Sequence, residues 1–520
     1  MRDKTIIPIS ELFYFGYIVI LFFAKGIGLY DGQPIFRIIL VFALICYVGK
    51  MVMTEFSIKE FLIVGILLAI GATTYLVSGE KGALIYILMV TGLKNIPLLR
   101  IFKVAFITWT LSFGGMVLLT VTHIIESPFK IHDKFGFGFL IRWGLGHSHP
   151  NVLHISYLTF VMLAVYLIGK QFNLKWFILL MIGNIYILLY SLSSTGFVVV
   201  CLYLALNLYW FYRKEFSLIE KVLVNAVLPG CLLLSFAAPL VLSGRAFDIV
   251  NRIVNTRLNL SRHFLTTTPA SFFGTRTSEI TSHWLTMDNS FVFAYVAYGA
   301  VLFVIIVLAY ILIIHHYIKA KKGTELSLIL ATLVAGITEP FLFNLSFKNL
   351  SLFFFGELVF ENKAEKSQKS VYFLPKKIRD ASLSFNIDVA FINKKWEDLC
   401  SLYRSNRLRI ITFSTVIGLV VAILCGLLMP LPDAYMAPRR YCDDPIGADW
   451  IYLESVEQAE AENIKVLAYI DNETVMHKFT GNIVGLERVR GTVTSGLLSG
   501  IFCSTVYLII LSWKTKGRNR

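Results

Sequence analysis

The chain has 520 residues, 56% of them hydrophobic and 14% aromatic, with a mean hydropathy of +0.70 and a net charge of +15. A composition this apolar excludes a string of soluble domains and points to a polytopic membrane protein. The basic balance does not imply a nucleic-acid partner, because Lys and Arg fall mainly in short connectors between apolar runs, where positive charge orients spans.

The stretch from Met1 to Lys25 has a basic start and no small-residue cleavage site, and is expected to be a retained first helix, not a signal peptide. Apolar runs long enough to cross a bilayer begin near Ile7, Ile38, Phe61, Leu84, Ile101, Val152, Leu174, Gly196, Val222, Phe291, Leu326 and Leu345, which gives about 12 spans. With the N-terminus in the cytoplasm, the inside connectors are 50–60, 94–103, 170–175, 213–221 and 315–322, and each carries Lys or Arg. The outside then receives short links and two long loops, 121–150 and 243–288. The seven cysteines contain no Cys-x-x-Cys pair, so neither a disulfide framework nor a zinc site is expected.

The first long loop ends in RWGLGHSHPN, Arg142 to Asn151. Pro150 suits the first turn of the coming helix, which leaves His149 at or near the N-cap. A neutral imidazole there accepts a proton from a hydroxyl, while the helix N-terminus and Arg142 favour an anion. The alternatives are a capping histidine or a metal pair with His147; a His-x-His without nearby Cys or a clear third ligand disfavours zinc. His154 is expected to pack within its helix.

The second long loop, Ser243 to Asp288, carries Arg245, Arg252, Arg257, Arg262 and Arg276 and no lysine. The guanidinium fork pairs with phosphate or carboxylate oxygens through two hydrogen bonds at once, so this loop reads as a site for an anionic group. The alternatives are anionic lipid headgroups and salt bridges to Asp248, Glu279 and Asp288. His263, next to Arg262, is a candidate to line the same cavity. Asp288 enters the membrane boundary and needs a partner: it is expected to pair with an arginine of the same loop as a structural contact, the functional alternatives being to order those arginines or to serve as the general base. No Asp-x-Asp stretch in the loops and no Walker loop is present, which disfavours nucleotide-driven chemistry.

Beyond Phe360 the chain becomes a basic linker, 361–408, expected on the cytoplasmic side. An apolar run from Ile410 to Leu428, an acidic segment from Pro430 to Arg490 and a last apolar run from Thr492 to Trp513 follow. Within the acidic segment, IKVLAYI and ETVMHKF around Asp471-Asn472 predict a hairpin. The expected fold is therefore all-α and polytopic, with about 12 transmembrane helices and two long extracytoplasmic loops in 1–360. A two-helix membrane hairpin, 409–513, completes it, with 430–490 outside.

Arg142, Leu145, Gly146, His149, Pro150 and Asn151, followed by Arg262, Phe273-Gly274, Asp288-Asn289 and Gly299, resemble the motifs of the O-antigen polymerase and ligase superfamily. The closest resemblance within it is to the polysaccharide polymerases of exopolysaccharide and capsule synthesis, over approximately Met1 to Phe360. Where that family commonly has Gly before the arginine of the second loop, this chain has Leu260-Ser261-Arg262. The resemblance implies an enzyme of the bacterial cytoplasmic membrane, with both termini cytoplasmic, that joins oligosaccharide repeat units carried on undecaprenyl pyrophosphate. It implies no metal and no cofactor. By the same resemblance Arg142 and Arg262, with Arg257 or Arg276, hold the pyrophosphate, and His149 or Asp288 is the base. Arg252, His147, Asn151 and His263 are further candidate substrate contacts. Membrane lipid and the flippase and chain-length regulator of such a pathway are the implied partners. A ligase would use the same residues. A transporter would place ionisable groups in mid-membrane, where this sequence is expected to be nearly free of charge.

Overall fold

The computed structural model describes residues 5–134, 136–213, 215–282, 285–360, 370–385, 389–442, 450–452, 456–468 and 475–518. Among the described residues the protein is all-α in its bulk, with 11 helices long and apolar enough to cross a membrane. The chain is a polytopic membrane protein.

The helices before the first long loop are α1 (Ile9–Gly26), α2 (Pro34–Val52), α3 (Ile58–Ser78), the short α4 (Lys81–Thr91) and α5 (Leu98–Val121). Pro34 opens α2, and Ser57 with Glu60 forms a capping box on α3, so the termini satisfy their own amide groups. The first loop contains a hairpin of β1 (Phe129–Asp133) and β2 (Phe139–Trp143). The bundle continues with α6 (Pro150–Ile168), α7 (Leu174–Ser191), α8 (Ser194–Tyr212) and α9 (Leu218–Leu232), which runs on through a π-helical turn to Val241. The second loop holds α10 (Gly244–Ile253) and α11 (Arg257–Thr267). The long α12 (Ser290–Lys319) and the short α13 (Gly323–Ala335) and α14 (Phe355–Phe360) complete this part.

Nine long helices thus stand where twelve spans were expected. The runs beginning near Leu84, Leu326 and Leu345 make shorter apolar helices, Lys81–Thr91, Gly323–Ala335 and Leu350–Phe360. Thirteen helical residues span only about 20 Å, short of the ~30 Å hydrocarbon core. Residues 336–349 between the last two are largely non-helical, which is tolerable only where protein satisfies the backbone. Tyr86 Oη donates to the Asn344 carbonyl at 2.8 Å and accepts from the Phe347 amide at 3.1 Å, while Asn349 donates to the Leu342 carbonyl at 2.9 Å. Tyr14 and Tyr17 of α1 similarly hold α4 through the carbonyls of Met89 and Ile85.

The basic connectors gather at one end of the bundle, tied by ion pairs such as Arg100–Glu11 at 2.9 Å and Lys321–Glu215 at 2.8 Å. The linker returns to that end: Ser382–Phe385 pairs with Thr5–Pro8, and Ser370–Val371 with Phe56–Ser57. Its last part is already helical, because α15 runs from Val389 to Leu428.

The C-terminal part consists of α15, the strands β3 (Ala434–Pro438), β4 (Trp450–Tyr452), β5 (Ile464–Val466) and β6 (Val475–Phe479), and α16 (Asn482–Arg518). The strand order is β4-β6-β3-β5, with β5 parallel to β3. The expected hairpin is therefore corrected, since β3 lies between β5 and β6; Asp471 and Asn472 lie outside the described residues. Gly418 of α15 and Gly496 of α16 allow close contact, because a Cβ on Gly418 would come within 2.8 Å of the Gly496 carbonyl oxygen.

Two contacts lock this part to the bundle. Phe129, Ile131 and Ile141 of the first-loop hairpin share a buried cluster with Tyr435, Cys442 and Phe479. Buried Arg490 of α16 donates to the carbonyls of Leu189 and Tyr190 at the end of α7 and pairs with Glu487, which accepts from Trp143 Nε1 at 3.1 Å.

Candidate functional site

The first loop delivers Arg142 on β2, only 5% exposed. Its Nε donates to the Ser191 carbonyl at 3.0 Å and its Nη2 to Asn151 Oδ1 at 2.6 Å. His149 is the N-cap of α6, as the Pro150 pattern predicts, and its Nδ1 accepts from the Asn151 amide at 3.1 Å. A neutral ring accepting through Nδ1 carries its proton on Nε2. His147 is fully buried against Phe113, with its Nδ1 at 3.3 Å from the Leu145 carbonyl. Burial, aided by the charge of Lys348, pushes its pKa down to about 4, which keeps it neutral. His154 packs within the bundle, between Ser191 Oγ and Asn184 Oδ1.

The second loop delivers Arg257 and Asp288 to the same place. They form an ion pair at 2.9 Å, and Arg257 Nε donates to the Thr338 carbonyl at 3.3 Å. Asn289 caps α12 and donates to the Ile337 carbonyl, and the Ser290 amide donates to the Gly336 carbonyl. The second loop and the start of α12 therefore dock on residues 336–339.

At their meeting point stands Glu339, 6% exposed, with Oε1 at 3.3 Å from Asn151 Nδ2. It belongs to the segment between the short helices, level with the first turns of α6 and α12, outside the long spans. Burial raises its pKa to about 7; Asp288 pushes the same way, and the positive charges of Arg257, Arg142 and Lys348 oppose it. Lys348, also buried, donates to the Val152 carbonyl at 3.2 Å. Glu339 and Lys348 are the two charged residues of this segment between the short helices. The sequence carries a signal for them: a carboxylate followed by proline in Thr338-Glu339-Pro340, and Lys348 nine residues after Glu339, both interrupt apolar runs.

The other arginines lie apart from this cluster. Arg262 Nε and Nη2 donate to the carbonyls of Pro239 and Leu242, and its guanidinium lies 3.9 Å from the Phe247 ring centre. It satisfies the end of the preceding helix. Arg276 is exposed and pairs loosely with Glu279 at 3.7 Å. Arg245 and Arg252 are exposed on α10 beside exposed Ile249 and Ile253, a face suited to a headgroup layer. His263 is exposed, with Phe264 at its edge.

Two glycines in the motifs have a steric reason. The strand of loop from Ser271 to Thr275 lies against α12, where Thr275 N donates to the Val296 carbonyl at 2.9 Å. A Cβ on Gly274 would come within 2.1 Å of the Ala297 oxygen, and Gly299, with φ of 81°, breaks the helix there.

The protein also has two cavities. One of about 340 Å³, between α3, α4 and α12, is lined almost wholly by apolar groups, with Tyr298 and Phe343 among them. The other, about 1600 Å³, lies between the first loop and the C-terminal part. Among the described residues no group of three or more His, Cys, Asp or Glu is arranged to hold a metal ion. Comparison of the chain with models of protein families, with curated proteins and with solved structures finds no match.

Proposed function

We propose that this membrane protein lengthens a glycan by joining oligosaccharide units carried on a lipid pyrophosphate, undecaprenyl pyrophosphate by the motif resemblance, at the outer face of a bacterial cytoplasmic membrane. The observation that carries this reading is the convergence of both long loops on one polar cluster in which Arg142 and Glu339 are buried and Asn151, Arg257 and Asp288 half-buried. The apolar cavity beside Tyr298 and Phe343 suits an isoprenoid or acyl tail.

In this reading the acceptor hydroxyl oxygen bonds to the anomeric carbon of the donor sugar as the bond from that carbon to the pyrophosphate oxygen breaks. The hydroxyl proton passes to Glu339, whose raised pKa and buried position suit a base. Asp288 is engaged by Arg257, and His149 Nδ1 already accepts from the Asn151 amide. The negative charge gathering on the leaving pyrophosphate is met by Arg142 and Arg257. Arg262 supports the loop that carries Arg257.

The test is purified protein in liposomes with a lipid-pyrophosphate-linked oligosaccharide, products resolved by size. A ladder of longer glycans that is lost in Arg142→Ala and Arg257→Ala supports the reading. Movement of intact substrate across the membrane without lengthening replaces it with a transporter, the alternative favoured by buried Glu339 and Lys348 in a broken-helix segment. Transfer of finished glycan to a different acceptor would make it a ligase.

A further inference from the structure

The cavity of about 1600 Å³ exceeds the ~300–1000 Å³ of a small-molecule pocket and has room for an oligomer. Its walls are aromatic: Phe129 and Trp143 from the first loop, Tyr190 from α7, and Tyr435 and Tyr441 from the C-terminal part. These rings are held in place. Phe129 stacks on Tyr441 with centroids 4.6 Å apart, and Trp143 is tied to Glu487, itself paired with the buried Arg490. Between the rings the lining carries charged and hydroxyl groups, including Lys130, Lys465, Glu487 and Thr494.

Flat apolar faces alternating with donors and acceptors match a sugar chain, whose rings present C–H faces and hydroxyl edges together. A lipid tail would find the almost wholly apolar cavity of about 340 Å³ the better match. The wide cavity also reaches the end of the first loop, because Trp143, Leu145 and Ser148, neighbours in sequence of Arg142 and His149, belong to its lining.

We propose that the space between the first long loop and the C-terminal part binds several consecutive sugars of the glycan as it extends from the reacting site. This rests on the glycan-lengthening reading above. The C-terminal part then acts as the far wall of a glycan-binding cavity, and its lining sets how long a product is retained.

The probe is the set of oligosaccharides of a few repeat units released by mild acid from the polymer of wild-type cells, titrated calorimetrically into the full-length protein in nanodiscs. Tyr441→Ala is expected to weaken binding about tenfold, the scale of one lost aromatic contact, while Tyr441→Phe binds like wild type. Ala468→Trp narrows the cavity by addition and is expected to weaken binding without removing a packed ring. In cells, Tyr441→Ala and Ala468→Trp shorten the polymer. Polymer from the wild type, with binding and product length indifferent to Tyr441→Ala and Ala468→Trp, overturns the cavity proposal alone. Absence of any lengthening by the wild type overturns the function, and this inference with it.

Discussion

Asn151 and Glu339, 188 positions apart in the chain, meet at 3.3 Å through the Asn151 amide nitrogen, while the same amide's oxygen accepts from Arg142 at 2.6 Å. One side chain thus couples the arginine of the first loop to a carboxyl group in the broken segment between two short helices. On the far side of that carboxyl, Arg257 reaches the Thr338 carbonyl.

Glu339→Gln keeps the size and the contact to Asn151 but cannot take a proton. Glycan lengthening is expected to fall by about 10²-fold or more, the usual scale of general-base loss, with the protein still folded and membrane-inserted. Full turnover in Glu339→Gln would return the role of base to Asp288.

Arg262 and Arg257 are expected to separate under the same substitution. Arg257→Lys loses the fork that spans Asp288 and Thr338, and activity drops with little change in thermal stability. Arg262→Lys loses hydrogen bonds to two helix-end carbonyls and the stacking on Phe247. It is expected to cost about 1.5–3 kcal/mol and to open the 243–288 loop to protease. Equal stability of the two variants would contradict the structural role given to Arg262.

His147 makes the fold acid-sensitive. Its folded pKa is about 4 against an ordinary 6.5, so the unfolded chain takes up the proton first as pH falls. The stability this neutral ring contributes is complete above pH 6.5 and is lost progressively toward pH 4. Thermal midpoints of the detergent-solubilised protein across that window should fall for wild type and fall less steeply for His147→Gln.

Glu487→Ala leaves Arg490 buried without its carboxylate and removes the acceptor of Trp143. Breaking such a pair from one side costs about 3–5 kcal/mol, so the C-terminal part should detach first on heating, read as early protease cleavage near α16. A single unchanged transition would show that the apolar cluster around Phe129 and Tyr435 suffices to hold it.

Much of the architecture was legible in the residues themselves. Long apolar runs and basic connectors mark nine of the spans in 1–360, and Pro150 places His149 at a helix start, because length, charge placement and capping are local properties. The arginine-only second loop was legible as unusual, but its five arginines are chemically alike in sequence, and only packing separates Arg257, beside Asp288, from Arg262, turned to backbone carbonyls. The three short helices were hidden because an apolar run shows how much backbone can be buried, not whether lipid or protein buries it. The meeting of Glu339 with Asn151, and through it with Arg142, was decided only by the tertiary structure. A buried charge depends on partners that the fold brings from distant positions in the chain.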